Sequence, residues 1–199
     1  TLLVTLQLVQ LGGGLSAREA GLLTLGYAIA IILFIRVGEK LLQRFGPRQP
    51  MLWGCLITCA AIALLAPAHL LLAQYRPLAV LGFTLFGIGL AFYATPSTDA
   101  ALSSLPAAQA GAGAGIYKMT SSLGSALGVA VSGSIFSALS SSGGAPWLEG
   151  VVAFAGRQDN LAVREAAMVA LGFNLAMVAL AALAVLLTIP RGRAARDAG

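Results

Sequence analysis

The stretch RVGEKLLQRFGPR, residues 36–48, stands between two long apolar runs and places Arg36, Lys40, Arg44 and Arg48 within thirteen residues. Glu39 is the single carboxylate among them. Arg36, Lys40 and Arg44 recur every four residues, so on a helix they share one face. Gly46 can take the positive-φ backbone that ends a helix, and Pro47 cannot continue one. Cations in a last turn complement the negative end of the helix dipole, and their aliphatic stems lie along apolar surface while the charges reach water. The stretch therefore reads as the charged end of one apolar helix, a tight reversal, and the start of the next.

Composition carries that reading outward. The chain has 199 residues, of which 58% are hydrophobic and only 10% charged, with a mean hydropathy of +0.89. A water-soluble domain is normally about a quarter charged. In lipid every backbone polar group must be satisfied internally, which leaves helices or closed barrels. The apolar runs are long and lack period-two alternation, which favours helices. The formal charge of +5 sits at the ends of these runs, as topology anchors do, and does not suggest a nucleic-acid surface. Cys55 and Cys59 lie four apart in one apolar run, which suits neither a disulfide nor a zinc site. Gly111, Gly113 and Gly115 do not fit a phosphate-binding GxGxxG, and no strand precedes them. With no nucleophile–base pair in view either, an enzyme, a metal and a cofactor are not expected.

A bilayer crossing takes about 20 mainly apolar residues. Residues 1–12, closed by Gly12, Gly13 and Gly14, are too short and read as the end of a longer helix. The chain is thus expected to be a piece of a longer protein. Full crossings are expected over 20–45, 50–66, 78–102, 112–139 and 166–189, with a kink at Pro96. That makes an all-α polytopic bundle over 1–190 and a basic tail over 191–199. A partial helix is expected between 140 and 165. If loops alternate between faces, Arg36, Lys40, Arg44, Arg48, Arg191, Arg193 and Arg196 share one face. Arg18, Arg76, Arg157 and Arg164 share the other, and Lys118 lies within a helix. Seven against four places the 36–50 loop and the C-terminus in the cytoplasm of a cell whose inner (plasma) membrane holds the protein. Trp53 and Trp147 fit interfacial anchors.

EKLLQRFGPR resembles the cytoplasmic-loop signature of the major facilitator superfamily, Gly-x-Leu-x-Asp-Arg-x-Gly-Arg-Lys/Arg. Leu41, Arg44, Gly46 and Arg48 fall on matching positions, while Glu39 replaces the usual Gly and Gln43 the usual Asp. The resemblance implies a loop braced against a neighbouring helix, with Arg44, lacking its Asp neighbour, left to reach a carboxylate or a helix C-terminus. FGIGLAFYATPSTDAALSSLPAAQAGAGAGIYKMTSSLGSALGVAVSG, residues 86–133, resembles the tenth and eleventh core helices of the fourteen-helix drug/proton antiporter branch. REAAMVALGFNLAMVALAAL, residues 164–183, is similar to that branch's last helix. The closest resemblance is to multidrug exporters of quinolones and lipophilic cations. It implies the C-terminal six-helix half of a major facilitator fold, exporting lipophilic or cationic drugs against protons by alternating access. The implied partners are the N-terminal half of the same chain, which holds most coupling acids, the lipid bilayer, protons and substrate. Two other readings are an exporter of one dedicated metabolite or antibiotic, and a membrane scaffold that transports nothing.

Several residues inside the apolar runs are candidates for a site. Asp99 and Lys118 fall on successive antiparallel helices, the lysine about 9 Å into its helix, and are expected to pair or else to end and snorkel separately. Ser121, Ser125, Gly128 and Ser132 form a small-residue stripe for close helix packing, or a seam that moves during transport. Gln7, Gln10, Tyr93 and Asn174 are candidates to face a central cavity or to tie helix to helix. Tyr27, Phe34 and Phe92 are candidate aromatic walls. His69, Glu19, Glu149, Asp159 and Glu165 are expected in outer loops, leaving no acid at mid-membrane depth.

Overall fold

The computed structural model describes residues 1–103, 105–148, 150–154 and 160–190. The expected basic tail, Glu149, Arg157 and Asp159 lie outside these residues. Helix α1 (Leu2–Gln7) continues in wider, π-helical register over Leu8–Gly12. Then come α2 (Ala17–Leu23), α3 (Leu25–Phe45), α4 (Arg48–Leu65), α5 (Leu72–Leu102), α6 (Ala110–Ser141) and α7 (Leu161–Thr188). Five segments are long and apolar enough to cross a bilayer: Ala17–Phe45, Arg48–Leu65, Ala73–Leu102, Ala110–Ser141 and Leu161–Thr188. This is the expected all-α polytopic bundle, with residues 1–12 as a shorter helix.

Three helix starts lie three or more residues ahead of expectation. The second span begins at Ala17 because Ser16 and Glu19 form a capping box. The Ser16 hydroxyl accepts from the Glu19 N–H at 3.3 Å, and the Glu19 carboxylate accepts from the Ser16 N–H at 3.0 Å. Such reciprocal caps satisfy N–H groups that a helix start leaves unpaired. α5 begins at Leu72, ahead of Pro77, and runs unbroken through Pro96. Helices in membranes tolerate proline when neighbours support the freed carbonyl. α7 begins at Leu161, so Arg164 and Glu165 belong to its first turns and are buried, at 5% and 1% exposure. The expectation that Glu165 sits in an outer loop is thereby corrected.

α3 ends where expected. Gly46 has φ +73° and ψ 179°, and its N–H donates to the Leu42 carbonyl at 2.8 Å. That backbone region is open almost only to glycine.

α5 is the central element. It packs against α3 on one side and α4 on the other, while α3 and α4 hardly meet. α4 in turn packs on α7, and α7 on α6. Close approach depends on glycine at particular crossings. A Cβ on Gly38 would stand 2.6 Å from the Ala91 carbonyl oxygen, and one on Gly54 would stand 2.7 Å from that of Gly89. In lipid, helices gain from such close backbone contact because apolar burial alone provides no drive.

The buried core gathers at one end of the bundle. Val4, Leu8 and Val9 of α1 meet Ile62 and Leu65 of α4, Phe83 of α5, Phe136 of α6 and Ala167, Ala170 and Leu171 of α7. This is the end carrying the 66–71 and 142–160 connections. Elsewhere the apolar side chains turn outward: Ile32 and Leu187 are 73% and 76% exposed, as lipid-facing residues should be.

Candidate functional site

At the end of the bundle opposite the core, the charged reversal is tied to the last helix. Arg48 donates from Nη2 to the Leu186 carbonyl at 2.9 Å. Leu186 lies in the final turn of α7, where carbonyls lack intrahelical partners. The guanidinium therefore satisfies an orphan acceptor and complements the dipole's negative end. Arg44 instead lies over the Phe45 ring, 5.2 Å from its centroid, and Phe45 meets Trp53 edge-on at 5.4 Å. The arginine that reaches a helix C-terminus is Arg48. Leu41 is half-buried.

Between α5 and α6 the polar contact is a hydroxyl pair, with Ser97 Oγ and Tyr117 Oη 2.8 Å apart. Asp99 and Lys118 are both exposed. Asp99 lies two residues past Ser97, about 200° around the helix, and so on the side of α5 turned from α6. The structure thus joins these helices through Ser97 and Tyr117 and leaves Asp99 and Lys118 apart.

Lys118 lines a shallow, wide-open hollow along the exposed side of α6 with Ser121, Ser122, Ser125, Ala126, Val129 and Ala130. Of the small-residue stripe, Ser121 and Ser125 are exposed, a Cβ on Gly128 would meet nothing within 4 Å, and Ser132 is buried. The stripe is closed by packing at its Ser132 end and bare across the middle of α6.

The core end holds a polar cluster. Arg164 donates from Nε to the Ala68 carbonyl at 2.6 Å and from Nη2 to the Leu70 carbonyl at 3.2 Å, and lies 5.4 Å from the centroid of Phe154. Glu165 accepts from the Ala145 N–H at 2.6 Å. Gly144, at φ +97°, leaves room for that carboxylate. Asn160 donates to the Gly12 carbonyl. One helix start thus fastens the ends of α1, α4 and α6. His69, in the 66–71 connection as expected, meets Phe154 edge-on at 6.5 Å.

Gln7, Gln10, Tyr93 and Asn174 are all half-buried, on α1, α5 and α7. Gln7 Oε1 and Asn174 Nδ2 are buried atoms without a hydrogen-bond partner. Such groups ordinarily find water or a ligand. Tyr93 also packs against α4, since a Cβ on Gly54 would stand 3.1 Å from its own.

The fold is a polytopic membrane helix bundle tied at both ends, with the middle of α6 uncovered within this chain. The sequence family described as the Major Facilitator Superfamily matches residues 1–196, and the chain belongs to it. The members of this superfamily are secondary transporters and not enzymes. The chain is similar to the quinolone resistance protein NorB of Staphylococcus aureus strain MRSA252, at 37% identity over 191 residues. Those residues cover 96% of this chain and 37% of the relative. The NorB proteins of strains COL and bovine RF122 / ET3-1 match with the same identity and coverage. The chain therefore spans little more than a third of the length of these curated relatives.

Proposed function

We propose that the protein is a proton-driven exporter of lipophilic or cationic drugs, and that this chain forms the C-terminal six-helix half of its alternating-access fold. The observation that carries the reading is the bare middle of α6. Lys118, Ser121, Ser122 and Ser125 present charge and hydroxyls along a membrane-crossing helix, where lipid offers few polar partners. A second half of the same protein, drawn from the further length that the relatives possess, would cover that face and enclose a site. The stripe Ser121, Ser125, Gly128 and Ser132 is then the face along which the halves rock, its glycine and serines allowing close, sliding contact. Gln7 and Asn174, with their unpartnered atoms, would complete the polar lining, with Gln10 and Tyr93 beside them.

The similarity to quinolone resistance proteins supports drugs as the substrate class. Proton coupling needs an embedded carboxylate. The buried acid among the described residues, Glu165, lies at the core end of α7, away from the hollow. Coupling is accordingly assigned to acids of the upstream half. The excess of arginine and lysine around residues 36–48 supports a cytoplasmic position for the Arg44–Arg48 end, with the core end outside. Arg48 and the α7 terminus would then close the inner rim.

The test is drug accumulation in cells expressing the full-length protein. The reading expects a fluoroquinolone to accumulate less in these cells than in cells without it, and the difference to vanish when a protonophore collapses the gradient. A difference that survives the protonophore would remove proton coupling, and no difference at all would remove the exporter.

A further inference from the structure

Among the described residues, Glu165 is the acid buried inside a membrane span: it is 1% exposed, on a helix long and apolar enough to cross. An ionisable side chain in such a place is costly and ordinarily has a function. The exporter reading gives it none.

The two carboxylate oxygens differ. Oε2 accepts from the Ala145 N–H at 2.6 Å, shorter than the roughly 2.9–3.0 Å usual for N–H···O, as contacts to a charged acceptor are. Oε1 is buried and has no hydrogen-bond partner. Arg164, the neighbour in sequence, is turned to the Ala68 and Leu70 carbonyls. A buried polar atom left without a partner calls for a ligand or a working role, and an orphan carboxylate oxygen is a place for a proton.

The chain around the carboxylate is shaped to it. Gly143 and Gly144 have φ +95° and +97°, a backbone region that glycine enters freely and other residues rarely. A Cβ on Gly144 would run into Glu165 Oε2 and stand 3.0 Å from the Ala162 Cα. The turn presents the Ala145 N–H to the carboxylate, and Ala145 and Leu148 are buried. That hydrogen bond draws the connection after α6 onto the first turns of α7. Other titratable groups at this end are few. α7 carries Arg164, the 66–71 connection carries His69, and α5 carries Tyr75, whose hydroxyl donates to the Leu65 carbonyl. The residues of α1, of the last turn of α4 and of the outer end of α6 carry no titratable side chain.

We infer that Glu165 is a proton-binding site, and that its charge clasps the α6–α7 connection. Ionised, it holds the Ala145 N–H by a charge-assisted bond. A proton on Oε1 leaves Oε2 a neutral carbonyl acceptor, roughly half as strong, and the two glycines let the connection swing away. Under the orientation proposed above the clasp stands on the outer side of the membrane, where acid loosens it. It is a device separate from the coupling acids assigned to the upstream half, and the clasp itself does not depend on the exporter reading.

Hydrogen–deuterium exchange of the full-length protein in lipid nanodiscs tests this, through peptides covering residues 142–148, with each rate divided by the intrinsic rate at that pH. In wild type the protection should fall by about tenfold as the pH drops from neutral through the carboxylate range, the difference between a charged and a neutral acceptor. Glu165→Gln keeps a carbonyl and loses the charge, and should show the lower protection at every pH. His69→Phe should keep the wild-type response. Wild-type protection that did not change with pH would overturn the inference, whether or not Glu165→Gln folds. A response surviving in Glu165→Gln, or abolished by His69→Phe, would also overturn it and give the switch to another group. Peptides from α3 and α4 should be unmoved; exchange there in step with 142–148 would mean unfolding and refute the clasp. Drug accumulation is read separately, so none of these outcomes touches the exporter reading.

Discussion

The crossing of α4 and α5 makes a quantitative prediction from a single added carbon. Gly54 and Gly89 face each other there, and a Cβ on Gly54 would stand 2.7 Å from the Gly89 carbonyl oxygen and 3.0 Å from the Tyr93 nitrogen. Both neighbours are backbone atoms of a helix, so no side-chain rotation relieves the contact. Ordinary contact begins near 3.4 Å. The helices must therefore part by several tenths of an ångström along the crossing, and each atom pair that opens by half an ångström or more loses roughly a quarter of its attraction. Overpacking of this kind costs about 1–3 kcal/mol. Alanine returns at most about 1 kcal/mol of helix propensity over glycine. Gly54→Ala should thus be destabilising by on the order of 1 kcal/mol. Gly172 in α7 is the control, since a Cβ there would meet nothing within 4 Å. Gly172→Ala should be neutral or stabilising by up to about 1 kcal/mol. Reversible unfolding of the full-length protein in mixed micelles, titrated with denaturing detergent, reads both. Equal stability of the two variants would refute the claim that this crossing is held at glycine distance.

Three further outcomes follow from other parts of the bundle. Gly46→Ala should cost about 1–3 kcal/mol in the same assay, because φ +73° with ψ 179° is a conformation alanine barely tolerates; an unaffected midpoint would mean the reversal relaxes freely. Arg164→Met should cost about 3 kcal/mol by stranding the Ala68 and Leu70 carbonyls. Arg164→Lys should recover only part of this, since an ammonium lacks the guanidinium fork, and full recovery would show that charge alone suffices. A cysteine at exposed Gln43 should react with a membrane-impermeant maleimide in everted vesicles and not in intact cells; the reverse pattern would invert the assigned orientation.

The parts of this fold that were legible in sequence are those written in hydropathy and in chain punctuation. The crossings could be read because a span requires a long apolar run, and the α3–α4 reversal because Gly46 and Pro47 admit few backbones. The start of α2 was missed although Ser16 and Glu19 carry the spacing of a capping box. The start of α7 was missed because hydropathy places a boundary after Arg164 and Glu165. Arg164 is instead held by the Ala68 and Leu70 carbonyls, and one oxygen of Glu165 by the Ala145 N–H, a tertiary fact with no local signature. The glycine crossings at Gly38 and Gly54 were not read from the sequence, because which helix faces a glycine depends on three-dimensional order. The stripe on α6 was found by spacing, yet most of it meets nothing in this chain. Pairing Asp99 with Lys118 rested on antiparallel neighbours alone, and helical phase turned the aspartate aside and brought Ser97 to Tyr117.

The central claim is that the bare middle of α6 faces a site opened first to one side of the membrane and then to the other. A lone cysteine at Ser125, in a full-length protein whose other cysteines have been replaced, tests it most directly. In vesicles, an impermeant thiol reagent should reach position 125 from one side without a proton gradient and from the opposite side when a gradient and drug are applied. Reaction from neither side, or from the same side under every condition, would contradict the account.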